Sequence, residues 1–186
     1  SPTLAIKDTM MFITSGDGVY ISHDWGRSTH LYNMGLPMDT VVYGTNTYYL
    51  LGVTDMLTTA NYVYCATSKG VYKSDYSLTG WTEVLTTSGN RQDWKLYSEG
   101  NNIFAHTRDS LFRSTDNGVT WQTLYTRQSG LRSFAAGNNQ LYLAVDSFGV
   151  IRSADGGATW QPISAGIQNQ NIVNVTYTGN SLYCGS

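Results

Sequence analysis

Two eight-residue segments of nearly the same sequence constrain this chain most: STDNGVTW at residues 114–121 and SADGGATW at residues 153–160. Each segment combines a hydroxyl, a carboxylate, a glycine, a second hydroxyl and an indole. Short Ser and Asp side chains bond to the backbone of their own turn, and glycine adopts the positive φ that closes it. The pattern therefore predicts a self-contained turn, whose polar groups are scaffold rather than a reaction centre.

The turns belong to a longer repeat. A strand-like pattern ends in serine just before each turn, and the serines follow one another at steps of 52, 40 and 39 residues. An aromatic residue lies 10 or 11 positions before each serine. The serines are Ser22, Ser74, Ser114 and Ser153, and the aromatic residues are Phe12, Tyr64, Phe104 and Tyr142. Short apolar runs bounded by Gly, Asn and Asp predict four strands per unit, which is typical of a β-propeller blade.

The repeats predict an all-β fold, a β-propeller of four-stranded antiparallel blades, with about four complete repeats plus half of a fifth. We place them within one domain or propeller fragment, at residues 1–38, 39–90, 91–129, 130–168 and 169–186. In the fourth repeat the expected strands, called A to D, are residues 131–136, 141–145, 149–153 and 159–163. The second repeat is longer by about twelve residues, and we expect this insertion between strands A and B, at residues 45–60.

The two full segments match the Asp-box, or bacterial neuraminidase repeat, and the chain resembles an Asp-box β-propeller over nearly its whole length. The resemblance implies that each box lies on the hairpin between strands C and D, with a structural role and a buried Trp anchor. The residues concerned are Ser114, Asp116, Gly118, Thr120, Trp121, Ser153, Asp155, Gly157, Thr159 and Trp160. Two degenerate copies keep Ser22, Asp24 and Gly26, and Ser74 and Trp81.

Composition excludes several classes of function. The net charge of −2 gives no electrostatic basis for binding nucleic acid or an anionic membrane. No apolar run approaches the roughly 20 residues that span a bilayer. The three histidines lack metal-ligand spacing, so we expect neither metal nor cofactor. Cys65 and Cys184 occupy equivalent places in two repeats, and we expect both to be buried, non-catalytic thiols.

The turns between strands B and C are the candidate binding positions, because one such turn per blade would face the same opening. The residues in these turns are Asp17, Lys69, Arg108, Asp109, Asp146 and Phe148. A structural alternative is that each Asp bonds the backbone of its own turn.

We expect a non-catalytic binding or structural module of a secreted or cell-surface protein, which binds a protein or glycan through its loops. The alternative is a glycoside hydrolase, xyloglucanase-like or sialidase-like, with aspartates of the B–C turns as acid and base. The Arg-Ile-Pro segment of sialidases is absent, and the chain has only two glutamates, Glu83 and Glu99. Unpaired terminal strands further predict self-association.

Overall fold

The computed structural model describes residues 3–87, 93–127, 130–163, 165–166 and 171–186. All the regular secondary structure within these residues is β-strand. Four sheets have four antiparallel strands each, in the order of a meander. The first sheet contains β1 (Leu4–Lys7), β2 (Met10–Ser15), β3 (Gly18–Ser22) and β4 (His30–Leu31). The second contains β7 (Val53–Thr58), β8 (Tyr62–Thr67), β9 (Gly70–Asp75) and β10 (Thr82–Leu85).

The remaining strands repeat this arrangement. The third sheet contains β11 (Lys95–Glu99), β12 (Asn102–His106), β13 (Ser110–Ser114) and β14 (Gln122–Thr126). The fourth contains β15 (Leu131–Gly137), β16 (Gln140–Val145), β17 (Gly149–Ser153) and β18 (Gln161–Pro162). Two hairpins, β5 (Asp39–Tyr43) with β6 (Asn46–Leu50) and β19 (Asn174–Thr178) with β20 (Ser181–Gly185), form two-stranded sheets. Each four-stranded meander has the topology of a propeller blade.

The inner strands of each sheet carry the core. Strands β8, β12 and β16 are buried along almost their whole length, whereas the outer strands β10 and β18 are mostly exposed. A strand whose successive side chains are all buried is covered on both faces. This explains why the B segments are nearly continuous apolar runs in the sequence.

The chain divides into two compact units, and each has its own core. Unit one comprises Ser1–Ile103 with Ser114–Trp121, and unit two comprises Phe104–Arg113 with Gln122–Ser186. Phe12, Val63, Cys65 and Trp81 are among the buried residues in unit one. In unit two the Phe104 and Phe134 rings pack 4.7 Å apart, beside Leu111 and Leu143.

The insertion of the second repeat lies elsewhere than predicted. Strand A of that repeat is β7, and it joins strand B, β8, through a short turn in which the Thr59 N–H donates to the Tyr62 carbonyl at 2.8 Å. This turn leaves no room for an insertion between strands A and B at residues 45–60. The extra residues instead form the β5–β6 hairpin, which precedes strand A.

The box turns close through their own side chains. The Ser153 hydroxyl accepts the Gly157 N–H at 2.8 Å and donates to Asp155 at 2.8 Å. The Asp155 carboxylate accepts the backbone N–H and the hydroxyl of Thr159, at 2.9 and 2.5 Å. The 114–121 turn is bonded in the same way. Each bond spans at most four residues, so the eight-residue pattern determines the turn locally.

The two degenerate copies differ from each other. In the first, Ser22 and Asp24 make the same bonds, and Ser28 takes the role of the threonine. In the second, Asp75 instead accepts the backbone N–H and the hydroxyl of Ser77, at 3.0 and 2.5 Å. Ser74 pairs with the Tyr32 hydroxyl at 2.8 Å rather than with an aspartate. The second turn therefore closes with a different geometry.

Two expectations about burial are wrong in part. Trp121 and Trp160 are half-buried rather than fully enclosed, although the Trp160 indole donates to the Leu124 carbonyl at 3.1 Å and packs against Tyr125. Cys65 is buried as expected, and burial raises the pKa of its thiol. Cys184 is exposed, because it lies on β20, an outer strand of a two-stranded sheet.

The box carboxylates predict an acid sensitivity. The hydroxyl and N–H of Thr159, followed by the Ser153 hydroxyl, lower the pKa of Asp155 to about 2. The pKa of an unfolded Asp is about 3.9, so the charged form stabilises the fold above that pH, and this contribution is lost as the pH falls toward 2. We expect Asp155→Asn to show a smaller fall in thermal midpoint between pH 5 and pH 2 than the parent chain.

Asp8→Asn, in the exposed turn between β1 and β2, is the matched control for this measurement. It removes one carboxylate without touching a box turn, and it should leave the acid-induced fall close to that of the parent chain. Equal falls for Asp155→Asn and Asp8→Asn would contradict the role assigned to the box.

Candidate binding site

The candidate residues of unit one are each paired with another side chain. Asp17 lies in the β2–β3 turn and accepts the Tyr20 hydroxyl at 2.7 Å, which lowers the pKa of its carboxyl group. Lys69 lies in the β8–β9 turn, and its ammonium pairs with Asp39 at 2.5 Å. Both residues are thus paired with side chains of this chain, although neither pair is the bond to the backbone of its own turn that the structural alternative describes.

The structure brings four candidate residues together in unit two. Arg108 and Asp109 form the β12–β13 turn, and Asp146 and Phe148 lie in the β16–β17 turn. The connection from β14 to β15 links the two turns through its backbone. The N–H groups of Arg127 and Leu131 donate to Asp109 and Arg108, at 2.8 and 2.9 Å, and Gly130 accepts the Asp146 N–H at 2.7 Å.

Two further arginines lie beside these turns, Arg127 directly after β14 and Arg132 near the start of β15. The Arg132 Nε donates to Asp146 Oδ1 at 2.6 Å. The Arg127 guanidinium carbon lies 4.1 Å from the centroid of the Phe148 ring, within cation–π range. Phe148 is 51% exposed, so the stacked pair borders solvent. We call the group Arg108, Arg127, Arg132, Asp146 and Phe148 the arginine face.

Positive charge dominates this face. Arg132, followed by the charges of Arg108 and Arg127, lowers the pKa of the Asp146 carboxyl group. Arg108 is exposed, and among the described residues neither it nor Arg127 has a carboxylate within ion-pair distance. Asp109 is turned toward its own loop, where it accepts the Thr107 hydroxyl at 2.6 Å. Two guanidinium groups thus lie near a single carboxylate that is already paired with a third.

The described part of the chain holds no arrangement typical of a general acid or a metal centre. Each described aspartate with a displaced pKa has it lowered rather than raised, and these are Asp17, Asp24, Asp116, Asp146 and Asp155. No group of three His, Cys, Asp or Glu side chains that could bind a metal occurs among the described residues. Nor do those residues include a helix long and apolar enough to cross a membrane.

Arg127 and Arg132 were not among the sequence candidates. The sequence candidates all lie in the turns between strands B and C. Arg127 directly follows strand D, and Arg132 is the second residue of strand A. A search for charged residues at these junctions could have found them.

Comparisons with known proteins show the fold. No family model and no curated protein matches the chain. Among solved structures, the extracellular domain of a hybrid two-component system from B. thetaiotaomicron aligns with a TM-score of 0.73 and 16% identity, over 99% of this chain and 26% of that one. YCF48, bound to a D1 peptide, aligns with a TM-score of 0.66 and 12% identity, over 98% and 60%.

A GH74 xyloglucanase from Xanthomonas campestris aligns with a TM-score of 0.63 and 16% identity, over 100% of this chain and 28% of that chain. The present chain spans about a quarter of the length of that extracellular domain and of the xyloglucanase. These similarities confirm the predicted all-β fold, a β-propeller of four-stranded antiparallel blades.

Proposed function

We propose that this chain is a non-catalytic binding module of a secreted or cell-surface protein, and that its arginine face binds a ligand bearing carboxylate groups. We further propose that it belongs to the Asp-box β-propellers, since three of its turns share one pattern of Ser and Asp hydrogen bonds. The observation that carries the binding proposal is the excess of guanidinium groups beside an exposed aromatic ring.

The geometry suits an anionic ligand. An arginine side chain offers a planar pair of N–H donors that matches a carboxylate. The Arg127 guanidinium is held by the Phe148 ring and by a bond from its Nη1 to the Asp146 carbonyl at 3.5 Å, so little conformational entropy is lost when its remaining N–H groups engage a ligand. The exposed Phe148 ring adds apolar contact next to the charge. Together they favour an acidic peptide segment, or an acidic glycan, over a neutral ligand.

A glycoside hydrolase is less well supported by the same residues. Its general acid must hold a proton near neutral pH, which requires a raised pKa. In the arginine face the pKa of Asp146 is lowered by Arg132, and Asp109 is bound to Thr107. The electrostatic field of this face favours negative charge, which is the property of an anion site.

Two comparisons support the kind of partner and its location. One neighbour is an extracellular domain, which is consistent with a place outside the cytoplasm. Another neighbour, YCF48, has a bound peptide. Protein partners are therefore our first choice, and acidic glycans our second.

The test is binding of a fluorescent hexapeptide of alternating Glu and Phe with a free carboxyl terminus, compared with its Gln-containing, amidated counterpart. We expect the acidic peptide alone to bind, and Arg127→Ala to weaken it at least about 10-fold, or ~1.4 kcal/mol. Arg127→Lys keeps the charge but not the planar fork, so it should restore only part of the affinity. A galacturonic acid oligosaccharide tests the glycan in the same way.

Arg27→Ala is the matched control, because Arg27 is exposed in the box turn of unit one and its loss changes the net charge equally. Equal weakening by Arg27→Ala and Arg127→Ala would reduce the effect to net charge and overturn the site. The site would also be overturned if neither the acidic peptide nor the galacturonic acid oligosaccharide bound to the parent chain. Release of reducing sugar from xyloglucan by the parent chain would favour the hydrolase instead.

A further inference from the structure

The β5–β6 hairpin is an insertion fixed at its base and exposed along its strands. Its register runs without a break from Asp39 opposite Leu50 to Tyr43 opposite Asn46. The next residue, Leu51, is buried in the unit-one core, and its N–H donates to the Gly16 carbonyl at 2.9 Å. We call residues 39–50 the tyrosine hairpin.

The tyrosine hairpin exposes large apolar side chains to solvent. Six of them are exposed, with Tyr43, Val42 and Tyr49 the most accessible at 80%, 67% and 60%. The six are Val41, Val42, Tyr43, Tyr48, Tyr49 and Leu50. No other stretch of twelve residues in the described chain exposes as many. A contiguous exposed apolar patch marks an interaction surface more often than scattered apolar residues do.

The two faces of the hairpin differ. Because side chains alternate along a strand, the register places Val41, Tyr43, Tyr48 and Leu50 on one face. Val42 and Tyr49 lie on the other face with two threonines. The first face is the more apolar one, and each face carries at least one exposed tyrosine.

The hairpin lacks the features that keep free strands apart. Residues 40–50 contain no charged residue and no proline, and the ladder has no bulge. Asp39, the single charge of the hairpin, is paired with Lys69 at its base. Both strands have a free edge, since the sheet consists of β5 and β6 alone. Natural proteins usually protect such edges with Lys, Pro or a bulge.

We infer that the tyrosine hairpin is a self-association site whose partner is the same hairpin of a second copy of this chain. A neutral surface meets its own copy without charge repulsion, and a two-fold axis lets each copy present the same patch to the other. A two-stranded sheet is marginal alone and gains stability from further strands or from a packed face. The second copy supplies a packed face for the more apolar side of the hairpin, which carries Val41, Tyr43, Tyr48 and Leu50.

The exposed apolar area of the tyrosine hairpin limits the expected affinity of the dimer. A tyrosine presents about 200 Å² when fully exposed, so the exposed parts of Tyr43 and Tyr48, the tyrosines of the more apolar face, come to roughly 260 Å². A standard interface needs about 800 Å² per partner. The exposed aliphatic side chains add to the area of the tyrosines, but the total stays below that of a standard interface. We therefore expect a monomer–dimer equilibrium that responds to concentration rather than a permanent dimer.

The test is sedimentation velocity of the full chain from about 1 to 200 µM, with Val41→Lys and Val41→Glu variants, which place a charge on the more apolar face of the hairpin. The parent chain should shift from monomer to dimer as concentration rises. Either variant alone should raise the dissociation constant at least 10-fold, because like charges meet across the two-fold axis. An equimolar mixture of the two should recover dimer, since opposite charges then face each other.

Val119→Lys is the matched control, being the same change at a valine that is 71% exposed in a box turn of unit one. It should leave the dissociation constant unchanged, and unchanged circular dichroism and thermal midpoints would establish that the variants are folded. A parent chain that stays monomeric at 200 µM overturns the inference. So does a dimer that persists in Val41→Lys, which would place the contact at the terminal strands.

Discussion

Replacement of Trp81 by alanine is expected to lower the free energy of unfolding by about 3 to 5 kcal/mol, the largest loss among the tryptophans of the box turns. Trp81 is 5% exposed and belongs to the unit-one core with Phe12. Its indole donates to the Tyr32 carbonyl at 2.9 Å, and its ring lies 5.5 Å from that of Tyr32. Truncation would leave a cavity and an unpaired carbonyl together.

Urea unfolding followed by circular dichroism measures this loss, and Trp121→Ala is the comparison. Trp121 occupies the corresponding box position but is half-buried, so its truncation removes less contact and should cost about half as much. Trp81→Phe keeps most of the ring and loses the indole donor, and it should fall between the parent chain and Trp81→Ala. Equal losses for Trp81→Ala and Trp121→Ala would contradict the difference in burial.

The sequence predicted the features that depend on neighbours within a few residues. The box turns form from bonds between residues two and four positions apart, such as Ser153 to Gly157, so an eight-residue pattern contains nearly everything that determines them. Strand pairing follows in the same way, because within each sheet every strand pairs with the next along the chain. The repeat spacing then places the same turn geometry at three positions, in the first, third and fourth repeats.

Features that depend on distant residues could not be predicted in the same way. The burial of Trp81 depends on Tyr32, which lies 49 positions away. The step of 52 residues gave the length of the insertion, but not which side of strand A it lies on. Arg132 faces Asp146 through the pairing of β15 with β16, and the sequence alone gave no reason to pair this arginine with that aspartate.

The box turn and the arginine face of unit two lie at opposite ends of one strand, β17. The β16–β17 turn with Asp146 precedes β17, and the box turn with Asp155 follows it. Since the box bonds are confined to their own turn, a conservative change at Asp155 alters stability without reshaping the Asp146 turn. Asp155→Asn should therefore retain the affinity of the parent chain for the acidic peptide. This separates the scaffold from the proposed function.

Gly35→Ala is expected to lower the free energy of unfolding by about 2 to 5 kcal/mol, because strain and steric conflict act together there. Gly35 has a φ of 90°, in the region that favours glycine. A Cβ atom at this position would lie 2.1 Å from the Trp81 carbonyl oxygen. The Trp81 N–H donates to the adjacent Met34 carbonyl at 2.8 Å, so two backbone segments are in close contact here. Because the clashing atom belongs to the backbone, it cannot move aside as the end of a flexible side chain could.

Gly26→Ala separates the two causes. Gly26 has a φ of 84°, nearly that of Gly35, but a Cβ atom there would meet nothing within 4 Å. It should therefore show the conformational strain alone, about 1 to 2 kcal/mol. The excess loss in Gly35→Ala, measured by urea unfolding of both variants, reports the contact between the Met34–Gly35 turn and Trp81. Equal losses would mean that this contact is absent in solution, and the larger cost expected for Trp81→Ala would lose part of its basis.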